Sequence, residues 1–270
     1  MQKIDVIMLT KNSIKPCLKE TIESVIREIA INKLIVVDGG STDDTLDLLS
    51  IICSKEGVNL SIIDDRNGTR ATSRQLGIQK METDFFAFVD SDVILPSNWF
   101  GQIMRHLEDE KVGAVWGASV ECGAYQRYRD AMSKLYKLSV FELARRQGVI
   151  RGLLHDTVIR KETIEGIKIP RALHVLEDEY IRRYIEKKGY RWLATSNPYC
   201  KHYRGFHRPI DGYLEAYYSK RIGLYSKKWF LKHSFLWLPK LLYLSLFVKD
   251  PNFLKSEFLK EIYFTVGYLK

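Results

Sequence analysis

The 270-residue chain is long enough for one large domain or two small ones, and a chain of this length buries about three quarters of its unfolded surface. Hydrophobic residues make up 46 % and charged residues 28 % of it, proportions that exclude a disordered or collagen-like protein. The formal charge of +9 is unevenly distributed, because residues 201–270 hold 13 of the 42 lysines and arginines but only 5 of the 33 acidic residues.

The first ten residues are predicted to form a strand, so the chain opens without the basic and apolar stretches of a secretory leader. No run of 18 apolar residues occurs, which predicts no membrane-spanning helix. The four cysteines are far apart and form no Cys-x-x-Cys pair, which argues against a zinc site or a disulfide framework and suits a reducing compartment. Together these features predict a cytoplasmic protein.

Strand and helix patterns alternate over the first hundred residues. Short apolar runs predict strands at Ile4–Leu9, Leu34–Val37, Leu60–Ile63 and Phe85–Val89. Apolar residues at helical spacing predict helices around residues 22–29 and 46–52, the second starting at a capping-box-like Ser41–Asp44, and a third helix over Thr69–Met81. This alternation is typical of a parallel sheet with crossover helices, in which ligands bind at the carboxyl ends of the strands.

After residue 112 the pattern changes. A strand is predicted at Val112–Val120, one long amphipathic helix at Tyr125–Gln147, a helix at Glu177–Lys188 and a short strand at Tyr190–Ala194. The chain has no internal repeat and no linker rich in Pro, Gly or Ser. One catalytic domain over residues 1–204 with a C-terminal extension over residues 205–270 is therefore the predicted organisation.

The first acidic motif is Asp38-Gly39-Gly40, between a buried strand and a helix. Glycines let the backbone approach a ligand closely, and free N–H groups at a helix start favour anions. The Asp38 carboxylate can accept hydrogen bonds from a nucleotide base or a ribose. A purely local role in the turn remains open for this residue.

The second acidic motif is Asp90 and Asp92, directly after the fourth predicted strand. Two carboxylates this close repel each other unless a cation or hydrogen-bond donors lie between them. Hard oxygen ligands suit Mg²⁺ or Mn²⁺, which commonly bind through one or two carboxylates and substrate phosphates. A solvated acidic loop is the alternative.

The third acidic motif, residues 177–179, begins a predicted helix. Acids in a first turn stabilise a helix through its macrodipole, and a solvated turn is one interpretation. A general base beside an electrophile is the other, because it also requires an ionisable group of this kind.

Taken together, these motifs resemble the inverting glycosyltransferases of family 2, whose catalytic domain has the GT-A fold. The resemblance covers about residues 3–205, and its specificity comes from six segments in family order: Val6–Asn12, Leu34–Thr45, Thr72–Ile78, Phe88–Asp92, Glu177-Asp178 followed by Gly189-Tyr190, and His202. It implies an α/β fold, a GT-A type nucleotide-binding sheet flanked by helices, followed by the basic, aromatic helical extension.

The resemblance assigns donor-side roles to four residues. Asp38 is expected beside the nucleotide base or ribose, and Asp90 on the ribose or metal side. Asp92 is expected to contact a Mn²⁺ or Mg²⁺ ion that bridges the diphosphate, with His202 as a third metal ligand.

The resemblance also implies that Asp178 is the catalytic base, with Glu177 or Glu179 as support. Arg70 and Arg74 lie four residues apart on one face of the third helix, where either can reach a phosphate; ordinary surface arginines are the alternative.

These roles define a metal-dependent, inverting transfer of a sugar from a nucleoside-diphosphate donor to an acceptor hydroxyl of a glycan or a lipid-linked glycan. A polyprenyl-phosphate sugar synthase and a catalytically silent nucleotide- or glycan-binding module remain alternatives. A nucleotidyltransferase is less favoured, because its usual Gly-rich opening loop is missing from residues 9–16.

The C-terminal extension interleaves aromatic and basic residues, among them Trp229, Phe235, Lys228 and Lys232. This pattern is typical of a segment that lies on an anionic bilayer without crossing it. We therefore predict a peripheral protein at the cytoplasmic face of the membrane, and no nucleic-acid partner. A packed helical layer with a solvated basic face is the alternative.

Overall fold

The structure is a computed structural model that describes residues 2–206 and 208–270. Its first half contains β1 (Ile4–Thr10), α1 (Leu18–Glu28), β2 (Ile31–Asp38), α2 (Thr45–Glu56), β3 (Leu60–Asp64), α3 (Arg70–Lys80), β4 (Phe85–Val89), β5 (Val93–Ile94) and α4 (Trp99–Leu107). Its second half contains β6 (Val112–Glu121), α5 (Ala124–Tyr136), α6 (Val140–Ile150), β7 (Asp156–Arg160), α7 (Glu177–Lys187), β8 (Arg191–His202), α8 (Pro209–Arg221), α9 (Lys227–Val248) and α10 (Pro251–Leu269).

The strands that the structure describes form one mixed sheet in the order β3-β2-β1-β4-β7-β6-β8-β5. The pairs of β1 with β2 and β4, and of β2 with β3, are parallel as predicted, whereas β7 runs antiparallel to both of its neighbours. Parallel pairing aligns the ends of β1, β2 and β4 at one edge of the sheet, so the acidic motifs that follow β2 and β4 lie on the same side.

The core has two layers, one on each face of the sheet. Along β1, Val6 and Met8 pack against α1 and α2, while Ile7 between them packs against α3 on the opposite face. A Cβ atom on Gly77 of α3 would lie 2.5 Å from Ile7 Cγ2, so this glycine lets α3 pack closely against the sheet. Burial on both faces explains why residues 6–9 of β1 are apolar without alternation.

The predicted single helix over residues 125–147 is wrong, because the chain forms two helices, α5 and α6. Lys137 adopts a left-handed conformation (φ 53°), and its N–H donates to the carbonyl of Lys134, which ends α5. Ser139 then starts α6, since its hydroxyl accepts a hydrogen bond from the N–H of Glu142 at 3.1 Å. Apolar spacing alone did not reveal this break.

Two smaller predictions also need correction. The start of α2 is not a capping box, because its N-terminal residue Asp44 makes no side-chain cap and Asp43 instead accepts a hydrogen bond from the N–H of Thr45. The capping box is at α3, between Thr69 and Thr72. The last strand, predicted over Tyr190–Ala194, extends to His202 because β8 pairs with β6 along much of its length.

The three C-terminal helices pack on one another and on α5. A Cβ on Gly212 of α8 would lie 2.4 Å from the carbonyl oxygen of Lys260, and one on Gly267 of α10 would lie 2.3 Å from that of Tyr213. These two glycines therefore allow close contact between α8 and α10. In the part of the chain that the structure describes, no helix has the length and apolar character needed to cross a bilayer.

One face of α9 is an exposed apolar stripe formed by Leu231, Phe235, Leu238, Leu242 and Leu246. These residues recur at intervals of three or four, so they lie on the same side of the helix. Phe235 is 78 % exposed, and the exposed Lys228 and Lys232 lie beside the N-terminal end of the stripe. The extension is thus partly a packed layer and partly an uncovered amphipathic surface.

Candidate active site

Two adjoining cavities open at the edge of the sheet where β1, β2 and β4 end. The first cavity, about 850 Å³, is lined by the segments that follow β1 and β2, including Asn12 and Gly39. The second cavity, about 510 Å³, extends between the sheet, α7 and the C-terminal helices, and Asp178 lines it. Asp90 and Asp92 line both cavities, so the acidic motif after β4 lies at their junction.

The two cavities differ in charge. Among the described residues that line the first cavity, six lysines and arginines face three carboxylates, a surplus that favours a polyanionic ligand. In the second cavity, seven lysines and arginines face seven carboxylates among the described lining residues. The first cavity therefore suits a diphosphate, and the second suits a neutral molecule.

Asp38 does not line either cavity, because its side chain is used within the turn after β2. It accepts hydrogen bonds from the hydroxyls of Thr10 and Ser41 and from the N–H groups of Gly40 and Ser41, at 2.6–2.9 Å. Burial raises the pKa of Asp38, but these hydrogen bonds lower it below its ordinary value overall. The N–H groups expected to be free for an anion are therefore occupied by Asp38, and its contact with a nucleotide remains a prediction.

Asp90 and Asp92 lie at the junction, and His202, which lines the second cavity, contacts Asp92. The Nε2 atom of His202 is 3.4 Å from Oδ1 of Asp92. Burial raises the pKa of Asp92, but the hydrogen bond and charge of His202 lower it below its ordinary value overall. Carboxylate oxygens and an imidazole nitrogen are donors of the kind that Mn²⁺ and Mg²⁺ accept, and the metal-ligand roles of these three residues remain a prediction.

Within the described part of the chain, no three His, Cys, Asp or Glu side chains are close enough to one another to form a preformed metal centre. A site of this kind would take further ligands from the diphosphate, as Mg²⁺ sites commonly do.

Arg74 joins the second and third acidic motifs. Its Nε lies 3.2 Å from Oε1 of Glu177 and its Nη2 lies 3.5 Å from Oδ1 of Asp90, while its guanidinium stacks over Phe88. Burial raises the pKa of Glu177, and the neighbouring charge of Asp178 raises it further. Arg74 itself is buried and lines both cavities, so it is not an ordinary surface arginine.

Asp178 faces the second cavity and contacts an arginine that sequence reasoning did not single out. Nη2 of Arg151 lies 3.4 Å from Oδ2 of Asp178, and Nη1 of the same arginine lies 3.1 Å from Oε1 of Glu215. The hydroxyl of Tyr225 also donates to Glu215 at 3.3 Å. This chain of contacts links the predicted base to α8 and to the loop before α9.

Glu179, the third acid of the motif, points away from the cavities. Its carboxylate pairs with Arg182 and Arg183 and accepts a hydrogen bond from the N–H of Gly152 at 2.8 Å. It fixes α7 against the segment that carries Arg151. Glu177 therefore lines the second cavity with Asp178, whereas Glu179 takes part in the packing of α7, and the support of a base by either residue remains a prediction.

The ion pairs of Glu179 predict a pH-dependent stability. Burial raises the pKa of Glu179, but the hydrogen bonds from Arg182, Gly152 and Arg183 lower it below its ordinary value overall. A carboxylate whose pKa is lower in the folded than in the unfolded state stabilises the fold at pH values above its ordinary pKa. This stabilisation is lost as the pH falls through the pKa of the folded state. We expect Glu179→Gln to reduce the free energy of unfolding by about 3 kcal/mol at pH 7 and much less in acid, measured by thermal unfolding.

A matched control for this prediction is Glu186→Gln. Glu186 also pairs with Arg182 but is more exposed, so its replacement should change stability little at either pH. Equal losses for Glu179→Gln in neutral and acidic solution would contradict the explanation.

Several other lining residues were missed by sequence reasoning: Glu121, Arg129, Arg151, His155, Glu215 and Lys260. Glu215 and Lys260 belong to the extension, so the proposed boundary at residue 204 separates residues that share one cavity. Isolated charged residues on amphipathic helices carry no signal that distinguishes a cavity wall from a solvated face. Gly212 is a sequence signal for a close approach of another element to α8, but the sequence does not identify α10 as that element.

The comparisons with known proteins identify the family of this chain. The sequence model named Glycosyl transferase family 2 matches residues 5–159, more than half of the chain. The chain belongs to this family, which confirms the resemblance and the predicted class of enzyme. It is 24 % identical over 230 residues to the glycosyltransferase EpsH of Bacillus subtilis (strain 168), covering 80 % of this chain and 64 % of EpsH.

A second relative, the uncharacterized glycosyltransferase EpsJ of the same organism, is 23 % identical over 124 residues, which cover 46 % of this chain and 35 % of EpsJ. The chain thus spans less than two thirds of the length of these curated relatives.

Solved structures confirm the GT-A type of fold. The mannosyltransferase PcManGT from Pyrobaculum calidifontis, in complex with GDP-Man and Mn²⁺, superimposes with a TM-score of 0.66 at 15 % identity, over 100 % of this chain and 88 % of that one. S. aureus TarS residues 1–349, in complex with UDP-GlcNAc, gives a TM-score of 0.59 at 16 % identity, over 99 % and 89 %. The matches extend through the C-terminal helices.

Proposed function

We propose that this protein is a divalent-metal-dependent, inverting glycosyltransferase that moves a sugar from a nucleoside diphosphate to an acceptor hydroxyl of a glycan or lipid-linked glycan. The observation that carries the proposal is the order of the groups across the two cavities. The cationic first cavity suits the donor, Asp90 and Asp92 lie at the junction, and Asp178 lines the second cavity only. The GDP-Man and Mn²⁺ of the PcManGT complex are consistent with this arrangement.

The proposed reaction is a single displacement. The acceptor oxygen forms a bond to the anomeric carbon while the bond from that carbon to the diphosphate oxygen breaks, and the acceptor proton passes to the Asp178 carboxylate. Because donor and base lie on opposite sides of the junction, the attack inverts the anomeric configuration.

The cations of the first cavity, including Arg70 and Arg74, hold the diphosphate. A divalent ion held by Asp90, Asp92 and His202 would neutralise charge on the departing nucleoside diphosphate.

The balanced charge of the second cavity favours a hydroxyl acceptor over the alternative of a polyprenyl phosphate. A phosphate acceptor would bring a second anion beside Asp178 and Glu177, where the lining offers no surplus of lysines and arginines. A catalytically silent binding module is the remaining alternative, and an assay of sugar transfer separates it from an enzyme.

Binding of the donor provides the direct test. We expect UDP- or GDP-sugars with Mn²⁺ to stabilise the protein by ~2.7 kcal/mol at a hundred times the dissociation constant, a rise in Tm of about 5–10 °C. Asp92→Asn should remove the part of this shift that depends on Mn²⁺, whereas Asp47→Asn, on the exposed face of α2, should keep it. A metal-independent shift of the same size in the wild type would contradict the metal assignment.

We include an anionic membrane surface in the proposal, with the apolar stripe of α9 as the docking face. Exposed apolar side chains with flanking lysines match the chemistry of an anionic lipid headgroup region, and each basic residue near it adds ~1 kcal/mol. We expect Phe235→Glu with Leu242→Glu to abolish cosedimentation with phosphatidylglycerol vesicles.

The matched control is Ile51→Glu, because Ile51 is similarly exposed on α2 but lies outside the extension. This variant should sediment with the vesicles like the wild type. Recovery of the wild type in the supernatant, with or without anionic lipid, would remove the membrane from the proposal.

A further inference from the structure

A third cavity of about 590 Å³ adjoins the second cavity and shares Tyr203 with the first. Its lining comes from the end of β6, the beginnings of α5 and α6, and the last residues of β8. Ser119, Glu121 and Arg129 line both this cavity and the second one, so these three residues form a common wall. The two cavities are therefore immediate neighbours along this wall.

The common wall is charge-compensated. The Glu121 carboxylate is buried and pairs with Arg129 and, at 3.3 Å, with Arg204. Burial raises the pKa of Glu121, but the hydrogen bond and charge of Arg129 lower it below its ordinary value overall. The wall is thus a fixed polar surface.

The other charged residues that line the third cavity also balance. Among the described lining residues, Lys201 and Asp130 are the charges besides Arg129 and Glu121, which gives two cations and two carboxylates. The cationic surplus of the donor cavity has no counterpart here. This balance disfavours a phosphate or a nucleotide and suits a neutral ligand that forms hydrogen bonds.

An aromatic pair lines the same cavity. The ring centroids of Phe141 and Tyr199 are 4.5 Å apart, and the two side chains remain 36 % and 42 % exposed. Exposed rings beside amide, hydroxyl and carboxylate groups match a sugar ring, which has an apolar C–H face and a rim of hydroxyls. Tyr203 also lines the cavity, and its N–H donates to the carbonyl of Asp92 at 2.9 Å, which connects this cavity with the junction.

We infer that the third cavity binds sugar units of a neutral oligosaccharide acceptor whose reactive hydroxyl lies beside Asp178 in the second cavity. Phe141 and Tyr199 stack on one of these units, and the polar wall at Glu121 and Arg129 orients the chain between the two cavities. The inference rests on the proposed function and names its substrate class: an acceptor of at least two sugar units, without a charged group in this part.

The test is binding to an array of neutral and anionic saccharides, from monosaccharides to hexasaccharides, with Mn²⁺ and UDP or GDP present. We expect the wild type to bind neutral oligosaccharides, and Phe141→Ala and Tyr199→Ala each to weaken this binding about tenfold, the equivalent of about 1.4 kcal/mol. Tyr136→Ala is the matched control, because Tyr136 is exposed on α5 and does not line the cavity. It should bind like the wild type, and thermal unfolding should show all three variants fully folded at the temperature of the binding experiment.

The inference is overturned if the array shows no neutral oligosaccharide bound, if anionic saccharides are preferred, or if the Phe141 and Tyr199 variants bind as well as the wild type. The donor experiment separates this failure from that of the proposed function. If a nucleoside-diphosphate sugar stabilises the protein but no saccharide on the array binds, only the third cavity is rejected as a sugar site. If neither the donor nor any saccharide binds, the assignment of the site to a glycosyltransferase is rejected.

Discussion

Asp178→Asn is expected to lower the turnover of sugar transfer by about 10²–10⁴, the usual contribution of a general base. The asparagine keeps the shape of the side chain but cannot accept the acceptor proton. Donor binding should remain, because Asp178 lines the second cavity and not the first. Initial rates with a nucleoside-diphosphate sugar, together with thermal shifts by the same donor, measure the two effects separately.

Asp47→Asn supplies the control for this variant, since Asp47 is exposed on α2 and does not line either cavity. Its turnover should equal that of the wild type. Wild-type turnover in Asp178→Asn would end the assignment of this residue as the base, and an equal loss of donor binding would assign it to the donor instead.

Arg74→Met is expected to have the largest effect on stability. Its guanidinium balances the buried carboxylate of Glu177 and contacts Asp90, so the variant leaves a buried charge without its partner. Breaking a buried pair in this way costs about 3–5 kcal/mol, which corresponds to a fall in Tm of roughly 6–20 °C for a chain of this size. Differential scanning calorimetry measures the change.

Arg70→Met provides a comparison on the same helix. Arg70 lies one turn earlier on α3 and is exposed, so its replacement should change the free energy of unfolding by less than about 0.5 kcal/mol. The double variant Arg74→Met with Glu177→Gln should recover part of the stability, because it removes the charge that was left unpaired. A double variant less stable than Arg74→Met alone would show that the pairing is not the cause.

The first half of the fold is well predicted by the sequence. The central residues of β1, β2 and β4, at 6–9, 34–37 and 85–89, are apolar because both faces of the sheet are covered, and an apolar run is a signal that can be read locally. The acidic motifs after β2 and β4 could be assigned to one edge, because parallel strands align their carboxyl ends.

Local signals failed where two of them competed. Apolar spacing over residues 125–147 predicted one helix, although Ser139 and Glu142 have the spacing of a helix start. The turn at Lys137 contains neither Gly nor Pro, and its left-handed conformation is stabilised by hydrogen bonds to the end of α5. The helix-start signal at Ser139 and Glu142 is therefore the one that the structure follows, and the apolar periodicity is the misleading one.

In the candidate site, too, short local motifs could be predicted from the sequence, whereas contacts between residues distant in sequence could not. The sequence by itself determined the family, the parallel part of the sheet and the place of Asp90 and Asp92 directly after β4, since motifs of a few residues in a fixed order encode them. Only the tertiary structure decided that Asp38 turns inward to its own loop, and that Arg151 lies between Asp178 and Glu215, 27 and 64 residues away along the chain. Hydrophobic periodicity indicates which side of an element is buried. The pairing of charges depends instead on how helices that are distant in sequence pack against each other, and no local pattern encodes that packing.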